Sequence, residues 1–156
     1  MIINDELIRP IIEKSKTAQR KRQNYNFHNE ASDPLHRMLN VLQPESYVHP
    51  HKHENPDKRE AFILISGKLL VILFDNNGKI DQHLILDRTT HTYGIEIQPG
   101  VYHTIMALEA DTVIYEVKDG PYNSDDDKQF ASWAPREEDK MDANKYLKQL
   151  IKETIL

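Results

Sequence analysis

The chain of 156 residues contains no cysteine. Disulfide bonds and thiolate metal ligands are therefore excluded, so any bound metal must take imidazole or oxygen ligands. No apolar run is long enough to cross a bilayer, and no signal-peptide pattern is found. These absences predict a cytoplasmic protein with no membrane partner.

Basic residues and glycines are also few. Lys and Arg number 20 against 25 Asp and Glu, for a formal net charge of -5. This balance argues against a nucleic-acid partner, because such proteins usually need a basic face to neutralise phosphates. With five Gly against eight Pro and no Gly/Ser-rich stretch or repeat, the sequence predicts a single domain over 1–156.

The chain does contain a group of histidines spaced as in a strand. His51 and His53 would project to the same side of an extended strand and could reach one ion together, and His49 could join their row. Glu60 begins an apolar run, and His103 follows a Pro-Gly turn in a second strand-like segment. Imidazole and carboxylate suit a divalent transition metal such as Fe, Mn, Zn, Ni or Co. We predict one such ion, held by His51, His53, Glu60 and His103.

The ligand set has open alternatives. The sequence does not decide whether Glu60 or His49 coordinates. Glu54 is a rival carboxylate, because the segment between His53 and Glu60 is rich in turn-forming residues. A His-x-His pair can also be an ordinary solvated strand edge.

Between these motifs the pattern is that of short β-strands. The tripeptide Asn76-Asn77-Gly78 is a strong hairpin signal, since Asn and Gly accept the positive φ of tight turns. Short strands in regular succession predict a mainly β, single-domain barrel or jelly roll, with a core at about 34–119. The predicted strands are 36–42, 47–53, 60–65, 69–74, 80–86, 93–97, 101–108 and 112–118.

Both ends of the chain are predicted to be helical extensions. The first, over 1–24, contains an amphipathic helix at 5–18 in which Pro10 favours a start near Arg9. The second, over 120–156, contains an amphipathic helix at 139–154 that would cap the barrel or form a homodimer. Before that helix, we expect 125–128 to be an exposed loop or a helix start, and Trp133 to pack the extension onto the barrel.

The motifs resemble the two signatures of the cupin superfamily. His51, His53, Glu60 and Gly67 match the first, and the second is matched by Gly94, Pro99, Gly100 and His103. The gap from His53 to Glu60 is longer than the common cupin spacing, and Ala107 stands where many cupins carry Asn. This resemblance implies a cupin-type barrel around a metal site.

A narrower resemblance covers almost the whole chain. It is similar to the WbuC family of cupin-fold metalloproteins, whose members are typically encoded with bacterial O-antigen and other surface-polysaccharide genes. The resemblance implies a polysaccharide-pathway context and leaves the reaction open. The matching segments are 20–28, 34–38, 47–53, 120–122 and 130–135.

Residues that would act beside the metal must lie in the mouth of the barrel. Arg37 is the first choice for a substrate contact, because its planar guanidinium suits phosphate or carboxylate. Other predicted substrate contacts are Tyr25, His28 and Asn40. The candidate catalytic residues are His36, Tyr102 and Lys118.

Three functions are compatible with these observations. The first is a metal-dependent isomerase or epimerase acting on a sugar or nucleotide-sugar intermediate. An Fe(II)-dependent dioxygenase is the second, because His and carboxylate ligands with open positions also suit oxygen chemistry. The third is a non-catalytic, metal-stabilised sugar-binding or regulatory module, since a fold alone does not determine a function.

Overall fold

Alternating apolar residues build two antiparallel sheets in the computed structural model, which describes residues 1–155. The first sheet has the strand order β1 (Arg22–Asn26), β2 (Leu35–Leu42), β9 (Thr112–Asp119), β4 (Glu60–Ser66) and β7 (Gly94–Ile97). The second has the order β10 (Gln129–Phe130), β3 (His51–Lys52), β8 (Tyr102–Ala107), β5 (Lys68–Phe74) and β6 (Ile80–Asp87). A 3-10 helix (Arg88–Thr90) follows β6, and the α-helices are α1 (Asp5–Thr17) and α2 (Lys140–Ile155).

The main core lies between the sheets. On β5, Leu69 and Val71 point into it, whereas Leu70 and Ile72 point outward and pack beneath α2. All four side chains are fully buried, so this strand is covered on both faces. The mainly β fold with a helix near each end, predicted from the sequence, is confirmed.

Helix α1 covers the outer face of the first sheet. Ile8 and Ile11 are buried against Leu39 and Val41 of β2. The helix runs without interruption from Asp5, although Pro10 lies inside it. The helix predicted at 5–18 is therefore present from Asp5, and only the later start near Arg9 is wrong, because the Asn4 cap and the packing of the apolar face hold the first turn in place.

Helix α2 covers the outer face of the second sheet. It buries Ala143, Leu147 and Leu150. Trp133 reaches the same layer and packs against Phe74, with ring centroids 4.9 Å apart and ring planes tilted by 54°. The C-terminal extension therefore packs onto the sheet, as expected. No helix within residues 1–155 is long and apolar enough to span a membrane.

Two parts of the predicted strand pattern differ from the structure. The strand predicted at 47–53 is limited to His51–Lys52, because Pro50 has no N–H to donate to a ladder. Strand β1 begins in the N-terminal segment interpreted as a helical extension and runs two residues beyond it, and β10 lies within the C-terminal one. They pair with β2 and β3 respectively, so each widens a sheet by one edge strand.

Glu137 joins the C-terminal extension to β1. Its carboxylate lies 2.6 Å from Arg20 Nε and 3.0 Å from Arg22 Nη1. Burial opposes the charged form, but hydrogen bonds from the two guanidinium groups outweigh it and lower the pKa of Glu137 from 4.5 to about 2. Because the folded-state pKa is depressed, this contribution is present above about pH 4.5 and lost as the pH falls towards 2.

We therefore expect the wild type to lose more stability than Glu137→Gln between pH 5 and pH 2.5. Urea unfolding of both proteins at several pH values measures this difference. Glu138→Gln is the matched control, and parallel pH profiles for the wild type and Glu137→Gln would contradict the expectation.

Candidate metal centre and cavity

The four predicted metal ligands come together between the two sheets. Glu60 opens β4 of the first sheet, whereas His51 and His103 face each other on β3 and β8 of the second. His53 follows directly after β3. One ligand atom from each of the four residues lies within 4.8 Å of the others, and all four side chains are buried. This group could hold a metal ion.

Glu60 is at the centre of the cluster. Its Oε2 lies 2.9 Å from His103 Nε2 and 3.3 Å from His53 Nε2. Two bonds of about 2 Å to a common ion span about 4 Å. Both distances lie within this span, so Glu60 could share one ion with His103 and with His53.

Backbone carbonyls determine which nitrogen of each imidazole faces the cluster. The Nδ1 atoms of His51, His53 and His103 lie against the carbonyl oxygens of His49, Asp127 and Val101 respectively. A carbonyl only accepts hydrogen bonds, so each Nδ1 carries a proton and Nε2 is the ring nitrogen left to bind an ion.

Inward lone pairs beside a buried carboxylate repel one another unless a positive charge lies among them. Burial, together with the neighbouring His103, holds the pKa of His51 well below its usual value, so this ring offers a neutral nitrogen to the cluster. A divalent cation satisfies all four groups at once. The residues therefore fit a metal ion with histidine and carboxylate ligands.

The two rival ligands lie outside the cluster. His49 Nε2 lies 3.0 Å from the carbonyl of Ala131, and the ring stacks on Phe130. Glu54 forms an ion pair with Lys52 at 2.6 Å. Of the alternatives left open by the sequence, the geometry favours Glu60.

Three members of the cluster, His51, Glu60 and His103, line a cavity of about 720 Å³. Cross-strand neighbours in the first sheet continue from Glu60 to Lys118 and then to His36. His28 stacks on His36 with ring centroids 4.0 Å apart. The predicted residues His28, His36, Asn40 and Lys118 all line this cavity.

The other three predicted residues, Arg37, Tyr25 and Tyr102, do not face the cavity, because successive side chains of a strand point to opposite faces. Arg37 lies between His36 and Met38 and faces the opposite side of β2, where its guanidinium contacts the carbonyl of Phe27. Tyr25 packs with the layer under α1, and Tyr102 with the layer under α2. These three side chains are not among those that line the cavity.

Glu116 is a cavity residue that sequence reasoning missed. It is buried, and one carboxylate oxygen accepts a hydrogen bond of 3.1 Å from Asn40. Burial and the negative charge of Glu60 raise the pKa of Glu116 to about 8, and a cation at the cluster would act in the opposite direction. The sequence did indicate this position, because Glu116 lies two residues before the candidate Lys118 and the two side chains therefore share one face of the strand.

Asp127 was also missed. The sequence predicted an exposed loop at this position, but its side chain is only 2% exposed and forms ion pairs with Lys58 and Lys118. Burial disfavours the carboxylate, yet these partners lower the pKa of Asp127 overall. Neither Asp127 nor Lys58 had a local signal, because both lie in irregular segments.

Several solved structures share this fold. The chain matches an L-ribose isomerase from Cellulomonas parahominis, solved with L-psicose, at TM-score 0.56 and 13% identity over 72% of this chain and 70% of that one. The capsular polysaccharide assembling protein CapF from Staphylococcus aureus matches at TM-score 0.54 and 19% identity, over 73% of this chain but only 30% of that one. A Shewanella oneidensis protein matches at TM-score 0.57 and 12% identity, over 83% of this chain and 85% of that one.

These likenesses and the buried cluster define a protein of the cupin fold with a group of side chains that could bind a metal. No curated protein matches the chain significantly. The chain belongs to the family described as a domain of unknown function, DUF6016, whose model matches residues 3–86.

Proposed function

We propose that this protein is a metal-dependent enzyme that isomerises or epimerises a sugar or nucleotide-sugar intermediate. The observation that carries the proposal is that three members of the buried cluster, His51, Glu60 and His103, line a polar cavity. The volume of about 720 Å³ lies within the range of about 300–1,000 Å³ that small-molecule sites occupy.

Two further points support a sugar-pathway ligand. An L-ribose isomerase and a capsular polysaccharide assembling protein share the fold. The resemblance to the WbuC family implies bacterial surface-polysaccharide biosynthesis, including O-antigen. The cytoplasmic location and the homodimer stay predictions.

Both reactions begin with removal of a proton from the carbon next to a carbonyl group. A divalent ion held by the four ligands would supply Lewis-acid polarisation of a substrate carbonyl or hydroxyl oxygen. Glu116, which lines the cavity, would accept the proton while the C–H electron pair moves towards the carbonyl oxygen. Return of the proton to the former carbonyl carbon, while the proton of the neighbouring hydroxyl moves to the former carbonyl oxygen, completes isomerisation. Epimerisation would instead need a second proton donor, such as water, on the opposite face of the carbon that lost its proton.

Side chains of the first sheet hold this proton carrier in place. Asn40 donates to one oxygen of the Glu116 carboxylate. Lys118, on the same strand face, is anchored by Asp127 at 2.6 Å. His36 and His28 form an imidazole wall farther along the cavity, where the rest of a sugar ring would lie.

Solvent exchange tests this function directly. Aldoses, ketoses and nucleotide sugars would be incubated in D₂O with protein loaded with Mn²⁺ or Zn²⁺, and deuterium at the carbon next to the carbonyl followed by NMR. The wild type is expected to incorporate deuterium into at least one of these sugars. Glu116→Gln is expected to slow exchange by about 100-fold, the lower end of the usual contribution of a general base.

Matched variants make the result specific. Glu96→Gln, on the exposed part of β7, is expected to leave exchange unchanged, and Glu116→Gln is expected to retain its metal. Sugar binding without exchange in any loaded sample would contradict the isomerase and favour the binding module.

A further inference from the structure

A segment of the C-terminal extension wraps around the histidine-bearing segment 49–53. We call residues 127–131 the strap. Phe130 pairs with His51 in the β10–β3 ladder, and the Ala131 N–H donates to the Pro50 carbonyl at 2.9 Å. The carbonyl of Ala131 lies 3.0 Å from His49 Nε2. The strap therefore follows the ligand segment along most of its length.

The strap begins at a buried group of charges. The Asp127 carboxylate accepts hydrogen bonds from Lys58 Nζ at 2.8 Å and from Lys118 Nζ at 2.6 Å. All three side chains are almost completely buried. Removing the carboxylate would leave two buried cations without this partner, which is a severe penalty.

Asp127 also contacts a metal ligand through its main chain. Its carbonyl oxygen accepts the hydrogen bond from His53 Nδ1. The other two metal-ligand histidines use carbonyls only two residues away, in His49 and Val101. For His53 the partner lies 74 residues farther along the chain, so the orientation of this ring depends on the strap being docked.

The same contacts account for the long gap between His53 and Glu60. Lys58, inside that gap, is 2% exposed and donates to the Pro121 carbonyl at 2.6 Å as well as to Asp127. The extra residues of the gap thus carry the cation that anchors the strap beside the metal ligands.

We propose that Asp127 is a positioning residue of the metal centre, whose two lysine partners dock the strap so that its carbonyl orients His53. The inference rests on the proposed metal centre but not on the proposed reaction. Metal binding and docking of the strap then stabilise each other by the same factor, because linkage between two equilibria is reciprocal.

The test compares Asp127→Asn with Asp125→Asn, an exposed change in the same segment. Titration calorimetry with Zn²⁺ is expected to show an affinity about 10- to 100-fold weaker for Asp127→Asn, the usual effect of losing a partner of a metal ligand. Asp125→Asn is expected to match the wild type. Lys58→Met, which removes one of the two cations, should show the same direction of change.

Wild-type protein provides a second measurement in case Asp127→Asn does not fold. Lys128 is exposed and lies in the strap, so trypsin cleavage after it reports undocking. Saturating Zn²⁺ is expected to slow this cleavage at least about 10-fold, matching the coupling factor by reciprocity.

Two other outcomes would overturn the inference in distinguishable ways. Unchanged Zn²⁺ affinity in a folded Asp127→Asn, or equal cleavage with and without Zn²⁺, would remove the role of Asp127 and leave the metal centre intact. A wild type that binds no Zn²⁺, Mn²⁺ or Fe²⁺ would overturn the metal centre itself, and with it the inference.

Discussion

The double variant His51→Ala, His103→Ala is expected to lose all stoichiometric metal, whereas the wild type retains about one ion per chain. Both residues turn an Nε2 lone pair into the cluster, and Glu60 and His53 alone leave too few ligands for a stable site. Elemental mass spectrometry on protein purified without a His tag or chelator measures the metal content. A metal-free but folded wild type would contradict the expectation.

The identity of the metal separates the proposed reaction from its main rival. His83→Ala is the matched control, since His83 is exposed on β6 and belongs to no cluster. Zn or Mn in the wild type would support Lewis-acid chemistry. Iron together with oxygen uptake would instead favour the dioxygenase considered from the sequence.

Phe62→Ala is expected to lower the free energy of unfolding by about 3–5 kcal/mol, the usual cost of removing a large aromatic side chain from a core. Phe62 is 2% exposed and lies in the core between the sheets. Its ring centroid is 6.4 Å from that of His103. The substitution would therefore leave a void that begins beside the proposed metal ligand.

Ile63→Ala is the matched control for this prediction. Ile63 is the next residue of β4, points to the outer face and is 45% exposed. Guanidinium unfolding of metal-free samples compares the variants without a contribution from bound ions. Similar losses for the two variants would contradict the assignment of the faces of β4.

Much of the architecture could be predicted from local patterns. Six of the strand predictions after residue 59 agree with β4 to β9 to within a residue or two, because each strand has a side-chain period of two and turn-forming residues at its ends. Strands β1 and β10 were missed because both are short edge strands, and each forms by pairing with a single neighbouring strand.

The residues of the candidate site, like the strands, could be predicted from the sequence only in part. The four metal-ligand candidates could be named because their residue types and spacing are unusual, and the geometry brings them together. Arg37 and Tyr102 were chosen for their chemistry, but which face of a strand enters the cavity depends on its register with its neighbours. That information is not local.

The sequence by itself determined the mainly β fold, the imidazole and carboxylate groups of the candidate metal ligands, and the absence of thiolate. Only the tertiary structure decided that Glu116 shares the cavity, that backbone carbonyls turn three imidazoles inward, and that Asp127 reaches His53 from 74 residues away. The physical reason is that strand periodicity and ligand chemistry act over a few neighbouring residues. Cavity walls and buried ion pairs, in contrast, depend on the register of paired strands and on the docking of distant segments.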